Sequence, residues 1–213
     1  MKKTSVLIAL LITALGFSQD AKTLLDKVAQ TAKSYDNIYI EFEHKIDNEI
    51  ADIHQSTNGK VTLKSDLYNF EYMGVQQMFD GAKVYLMVHE DEEVVIKQPN
   101  NEDDASTLTP SKMLTFYKKG FNYSMDIKQT ITGKKLQFVK LTPTSEETEL
   151  KHVLVGIDTK TNHIYRVIET GLDDTVTTYT LTTFKTNQTL DAATFIFDRA
   201  AYEEKGYSIS EPK

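Results

Sequence analysis

The chain is organised around the stretch Thr109-Pro-Ser-Lys-Met-Leu-Thr-Phe-Tyr-Lys-Lys-Gly120, which separates two blocks of strand-like sequence. Thr109 can cap a helix, Pro110 suits the first helical position, and Gly120 suits the residue that ends a helix. Between them, apolar side chains recur at helical spacing: Met113, Leu114, Phe116 and Tyr117. The pattern predicts a short helix over 110–119, which cannot be stable unless it lies on a sheet.

The first residues differ in character from the rest of the chain. Two lysines precede an apolar run from Val6 to Leu15, and Gly16 and Ser18 are small residues just before a possible cut. This pattern is typical of a cleaved secretory signal peptide. A retained membrane helix is the competing interpretation, but the run is shorter than the roughly 20 residues that span a bilayer. We expect a signal peptide at 1–18 and a single exported domain at 19–213.

Composition narrows the class of protein. The 213 residues include 31 acidic and 24 basic side chains, which gives a formal net charge of −7. A negative surface argues against nucleic acid and against adhesion to anionic lipid headgroups. The absence of cysteine excludes disulfide bonds and a lipid anchor on an N-terminal cysteine.

Hydrophobic periodicity predicts a mainly β protein. Residues about 20–34 form an amphipathic helix, because apolar side chains recur every three or four positions. The period then changes to two, and strands are predicted at about 38–46, 54–63, 67–73, 76–79, 83–89, 94–97, 121–130, 134–141, 150–158, 163–170, 175–184 and 195–197, followed by a polar tail. We expect an incomplete, strongly curved antiparallel barrel of about 10–11 strands. The N-terminal helix and a short central lid helix would cover it.

Residue patterns for catalysis or metal binding are weak. The five histidines are scattered over five predicted strands, and no metal-ligand spacing, nucleophile elbow or phosphate loop occurs. The acidic runs 91–93 and 102–104 lack the oxygen spacing of a calcium loop. The sequence therefore predicts a protein that is not an enzyme and that needs no metal and no cofactor.

Large apolar side chains exceed what the two predicted helices can cover. The candidate inner-face residues are Ile40, Phe42, Tyr68, Phe70, Phe79, Tyr85, Met87, Tyr123 and Phe138, and the candidate roof residues are Met113, Phe116 and Tyr117. A roof of methionine and aromatic side chains suits a cavity for flexible apolar ligands. The alternative is that these residues fill a solid core, and alternation alone leaves both interpretations open.

Short motifs along the whole mature chain suggest a family. In order they are Ala21-x-x-Leu-Leu-Asp-x-Val28, Tyr35-Asp-Asn-Ile38, Ile40-Glu-Phe42, Gly59-Lys-Val61, Phe79-Asp-Gly-x-Lys-Val-Tyr85, Thr109-Pro-Ser-Lys-Met-Leu114, Leu141-Thr-Pro143, Ile157-Asp-x-x-Thr161, Phe184-x-x-Asn187 and Phe195-x-Phe197. Their order and spacing resemble the LolA family of periplasmic outer-membrane lipoprotein carriers, in the form found in Bacteroidetes-like bacteria.

The resemblance implies a function and partners. It implies a monomeric periplasmic carrier that takes acylated lipoproteins from an inner-membrane ABC exporter to an outer-membrane acceptor, with the candidate residues above binding the acyl chains. One departure is Ser65, which stands where a studied branch of the family has an arginine that locks the lid. Carriage of another lipid or acylated molecule, and a lipid-sensing or lipoprotein-sensing regulatory module on the same fold, are the alternatives.

Overall fold

A computed structural model describes residues 19–99 and 116–211 of the chain. Helix α1 spans 19–33 and helix α2 spans Arg199–Glu204. The strands are β1 Ile38–Asn48, β2 Ile53–Lys64, β3 Leu67–Tyr72, β4 Val75–Phe79, β5 Val84–Val88, β6 Glu93–Lys97, β7 Phe121–Ile131, β8 Lys134–Pro143, β9 Leu150–Asp158, β10 Ile164–Gly171, β11 Val176–Thr186 and β12 Ser208–Ser210. Single 3₁₀ turns occupy Phe116–Lys118 and Ala192–Phe195.

The described strands belong to one sheet in the order β12-β6-β5-β4-β3-β2-β1-β11-β10-β9-β8-β7. The runs β2 to β6 and β7 to β11 are antiparallel meanders, and β12 pairs in parallel with β6. The predicted fold class is confirmed as a mainly β protein with a curved, unclosed sheet, which has 12 strands rather than about 10–11. The limits of β1 to β11 agree with the prediction to within two residues.

The C-terminal region differs from the prediction of a last strand at 195–197 followed by a polar tail. Asp191 accepts a hydrogen bond from the Ala193 amide at 2.7 Å and starts a 3₁₀ turn instead. Asp198 then caps α2 by accepting from the Ala201 amide at 3.0 Å. These side-chain caps offer the backbone an alternative to sheet pairing, and an apolar run of three residues is too short to outweigh them. The predicted lid helix lies largely outside the described residues; of 110–119, only 116–119 are described.

The chain divides into two compact units. Of the described residues, the first comprises 19–34, 44–56 and 116–181. Its core lies between α1 and one face of β8 and β9, where register pairs Val139 with Val155 and Leu141 with Val153. The α1 side chains in this core share one stripe of the helix: Ala21, Leu25 and Val28. The period of the sequence predicts that stripe directly, because positions i, i+4 and i+7 of a helix share a face.

The second unit comprises the described residues 35–43, 57–99 and 182–211. Its described core cluster lies between β4, β5 and β6 and the segment that follows the second 3₁₀ turn. The buried members are Met78, Met87, Val94 and Ile96, and the side chains packed on them are Tyr85, Phe197, Tyr202, Tyr207 and Ile209. The C-terminal segment is therefore a structural layer of this unit.

Candidate functional site

The hairpin registers of the second unit assign every side chain of β3 to β6 to one of two faces. Phe79 pairs with Val84 across the four-residue connection between β4 and β5. Because side chains alternate along a strand, Met78 then shares a face with Tyr85, and Phe79 shares the other with Val84. The two faces have different surroundings, and we call one the covered face and the other the half-buried face.

The covered face is the one beneath the C-terminal segment. Its buried apolar side chains are Met78, Met87, Val94 and Ile96. Polar groups at its margin are paired: the Gln76 amide nitrogen donates to Asn69 at 2.8 Å, and the Gln76 carbonyl accepts from the Tyr202 hydroxyl at 3.3 Å. An ion pair between Lys83 and Glu211 holds the end of the chain beside it. This face has its partner within the unit.

The half-buried face is the opposite one. It carries eight apolar side chains, each partly exposed, around one amide: Phe70, Tyr72, Val75, Phe79, Val84, Leu86, Val88 and Val95, with Gln77. The central row across the sheet runs Phe70, Gln77, Leu86 and Val95 by register. Contiguous apolar surface that stays partly exposed is typical of a binding surface. This face is the candidate site.

One end of the half-buried face is built from aromatic rings. The Phe42 ring lies parallel to those of Phe70 and Tyr72, with ring centroids 6.2 and 6.0 Å away. Phe42 can lie flat on the sheet because position 59 is glycine, where an added Cβ would stand 2.3 Å from Phe42 Cζ. A larger residue at Gly59 would displace the ring. Tyr68, 3% exposed, lies on the same face by register and contacts Phe79.

The predicted site residues of this unit divide between the faces. Phe70, Phe79 and buried Tyr68 lie on the half-buried face by register. The prediction that Tyr85 and Met87 share the face of Phe79 is wrong. The four-residue connection pairs Phe79 with Val84, so Tyr85 and Met87 point to the covered face. Sequence reasoning also missed Tyr72, Val75, Gln77, Val84, Leu86, Val88 and Val95. The length of the Asp80–Lys83 connection is the signal that identifies most of them.

Ile40 and Phe42 are buried on β1 within the same unit. A cleft of about 420 Å³ adjoins this region, lined by Glu41, Phe42, Asn58, Gly59, Lys60, Glu71, Tyr72, Met73, Gly74 and Thr182. Glu41 accepts hydrogen bonds from Thr183 and Tyr39, which lower the pKa of its carboxyl, and Lys60 pairs with Glu71 at 2.9 Å. The charged side chains beside the cleft are thus already paired.

Three other candidates lie in the core of the first unit. Tyr117 is 1% exposed and donates a hydrogen bond to the Leu25 carbonyl at 3.2 Å, which ties the first 3₁₀ turn to α1. Tyr123 donates to the Tyr117 carbonyl at 2.8 Å, and Phe116 packs at the edge of the cluster. These contacts are those of a packed core. A role for the three side chains in ligand binding stays a prediction.

Phe138 and Tyr123 were predicted on one face, and the registers separate them. Tyr123 pairs with Leu141, whereas Phe138 pairs with Gly156. Positions 138 and 141 are an odd number of residues apart, so their side chains point to opposite faces. Phe138 lies over Gly156, where an added Cβ would come within 2.8 Å of its ring. Met113 lies outside the described residues.

Electrostatic features of the second unit favour neutral tyrosines and a stable turn. Burial raises the pKa of Tyr68, although the hydrogen bond from Gln77 opposes the shift. Burial and the bond to Asp80 raise the pKa of Tyr85 to about 12. Burial raises the pKa of the Asp80 carboxyl, but hydrogen bonds from the Lys83 and Ala82 amides outweigh burial, so the pKa is lowered.

Ser65 is exposed in the β2–β3 turn with φ of 52°.

No group of three or more histidine, aspartate or glutamate side chains within the described ranges could hold a metal ion. Among residues 19–99 and 116–211, no helix combines the length and apolar character needed to cross a membrane. The feature that stands out is therefore the half-buried apolar face.

A model of the family described as "Outer membrane lipoprotein carrier protein LolA" matches residues 30–198. This chain belongs to the LolA family. The match covers both units, including the half-buried face and the turn before α2. No curated protein matches the sequence.

Solved structures show where this LolA-family chain has relatives in fold. An uncharacterized conserved protein from Thermus thermophilus is 10% identical, covering 91% of this chain and 99% of its own, with a TM-score of 0.57. Lipoprotein LppX from Mycobacterium tuberculosis is 13% identical. The match covers 80% of this chain and 98% of LppX, with a TM-score of 0.47. The MucA/MucB complex from Pseudomonas aeruginosa contains a chain that is 11% identical. The match covers 84% of this chain and 61% of that one, with a TM-score of 0.44. The first likeness shows a shared fold.

Proposed function

We propose that this LolA-family protein is a periplasmic carrier that binds the acyl chains of lipoproteins and shuttles them from the inner to the outer membrane. The observation that carries the proposal is the half-buried face, on which eight apolar side chains are partly exposed although the opposite face has its own cover. A binding role needs no catalytic group. The protein acts without covalent chemistry.

The energetics explain why such a surface is useful. At about 0.8 kcal/mol per CH₂, exposing a sixteen-carbon chain to water costs on the order of 12 kcal/mol. A surface of side chains that are already half-buried offsets much of this cost when the chain covers it. Because these side chains are partly exposed rather than fully packed, the acyl chain can also leave without unfolding the unit.

The carrier role implies partners and a location. The donor would be an inner-membrane lipoprotein-releasing ABC exporter, and the acceptor would lie in the outer membrane. The carrier would act as a monomer and would reach the periplasm through cleavage after Ser18, so that the mature chain begins at Gln19. Intact mass of the exported protein tests this start. Retention of residues 1–18 would contradict a carrier that crosses the periplasm.

A release assay tests the function. Inner-membrane vesicles that contain the exporter and one acylated lipoprotein are supplied with ATP and with residues 19–213, and the lipoprotein in the supernatant is measured. We expect release as a one-to-one complex. The matched control is the same lipoprotein with its acylated cysteine replaced by serine, which should not bind the carrier. Failure to release the acylated form would contradict the proposal and favour carriage of another lipid or acylated molecule, or a sensing role.

A further inference from the structure

Gln77 is the one polar side chain in the central row of the half-buried face. Register places it between Phe70 of β3 and Leu86 of β5. Its amide nitrogen donates to the Tyr68 hydroxyl at 2.9 Å. An amide amid apolar side chains loses water when a ligand covers the face, so each of its groups then needs a partner.

The hydrogen-bonding capacity of this pair is only half used. Among the described residues, the Gln77 carbonyl oxygen accepts from no group, and neither the second Gln77 N–H nor the Tyr68 O–H donates to one. The neighbouring Gln76 differs, because its nitrogen donates to Asn69 and its oxygen accepts from Tyr202 on the covered face. The unused acceptor and donor are thus features of the half-buried face alone.

We infer, on the basis of the proposed function, that Gln77 and Tyr68 form a polar anchor. The anchor selects acyl chains that are joined to the rest of their molecule through an amide. The carbonyl of such a linkage accepts from the Tyr68 hydroxyl, and its N–H donates to the Gln77 carbonyl. An ester offers the carbonyl but has no donor. Tyr68 stays protonated for this role because burial raises its pKa.

The inference predicts a preference that an apolar surface alone would reverse. Without a partner for its N–H, an amide loses more than an ester on leaving water, so a bare hydrocarbon surface favours the ester. With the anchor, one additional hydrogen bond should make the amide bind about three- to tenfold more tightly than the ester. The linkage would therefore decide which acylated molecules are carried.

The test measures displacement of a fluorescent fatty-acyl probe by N-hexyldecanamide and by hexyl decanoate, which differ only in the linkage. We expect the amide to be preferred by the wild-type protein and the preference to be lost or reversed in Gln77→Met. Gln76→Met is the matched control: it can lower the melting temperature but should keep the preference. Tyr68→Phe should weaken both ligands to a similar extent.

The outcomes separate the two proposals. If the probe binds but the wild-type protein does not prefer the amide, the anchor is wrong and the carrier stands. If Gln77→Met keeps the preference, the anchor is also wrong. If neither the probe nor either ligand binds the wild-type protein, the proposed function itself fails. The wild-type comparison is decisive even if a variant does not fold.

Discussion

Leu86 and Met87 are neighbours in β5 that face opposite surroundings, and replacing each by serine separates ligand binding from folding. Leu86 lies on the half-buried face, whereas Met87 is 1% exposed beneath the C-terminal segment. Fully burying a leucine is worth about 1.5–3 kcal/mol, so removing this half-buried side chain should cost about 1 kcal/mol of stability. Removing the buried methionine should cost about 3–4 kcal/mol.

The expected readouts follow from these magnitudes. Met87→Ser should lower Tm by roughly 6–16 °C, and Leu86→Ser by only about 2–4 °C. Affinity for a fluorescent fatty-acyl probe should fall about fivefold in Leu86→Ser, since about 1 kcal/mol of apolar contact is lost, and should change little in folded Met87→Ser. Thermal unfolding and probe titration on both variants check this. Equal losses of stability, or a selective loss of affinity in Met87→Ser, would refute the assignment of the faces.

Three further predictions test packing and charge. Gly59→Ala should destabilise the protein by about 1–3 kcal/mol, because the new Cβ would lie 2.3 Å from Phe42 Cζ and the ring must move. This loss exceeds the stability that a strand gains when alanine replaces glycine. A rise in Tm would contradict the prediction. Burial raises the pKa of Tyr117 to about 12, so its contribution to stability is complete below pH 10 and is lost as pH rises toward 12. Urea unfolding across that range should show a smaller alkaline loss in Tyr117→Phe, and identical profiles would exclude the effect. Ending the chain after Asp198 should expose Met87, lower Tm and increase binding of an apolar dye, whereas an unchanged melting curve would show that the C-terminal segment is dispensable.

The sequence predicts the strands well because alternation reports local geometry. Strands such as β1, β3 and β7 carry apolar residues at every second position, and shorter strands such as β5 are apolar runs bounded by turn residues. The C-terminal region is the exception. Side-chain caps at Asp191 and Asp198 decide its structure, and three consecutive apolar residues are too few to compete with them.

Faces are harder to predict than strands, because they depend on register. Phe79 and Tyr85 both lie in short apolar segments, and the length of the connection between β4 and β5 shows that their side chains point to opposite faces. Which of the two faces is covered depends on the distant C-terminal segment. Of the side chains that β3 to β6 place on this face, the sequence predicts Tyr68, Phe70 and Phe79, and the strand pairing was needed to assign the others.

Site-specific photocrosslinking tests the central claim most directly. A photoreactive amino acid replaces Leu86 on the half-buried face or Lys205, which is exposed at the end of α2, in cells supplied with isotopically labelled palmitate. Irradiation of the exported protein is followed by mass spectrometry. We expect labelled acyl chains attached to an acylated protein at position 86 and none at position 205. Absence of label at position 86, or equal labelling at both positions, would contradict the claim that this face binds acyl chains.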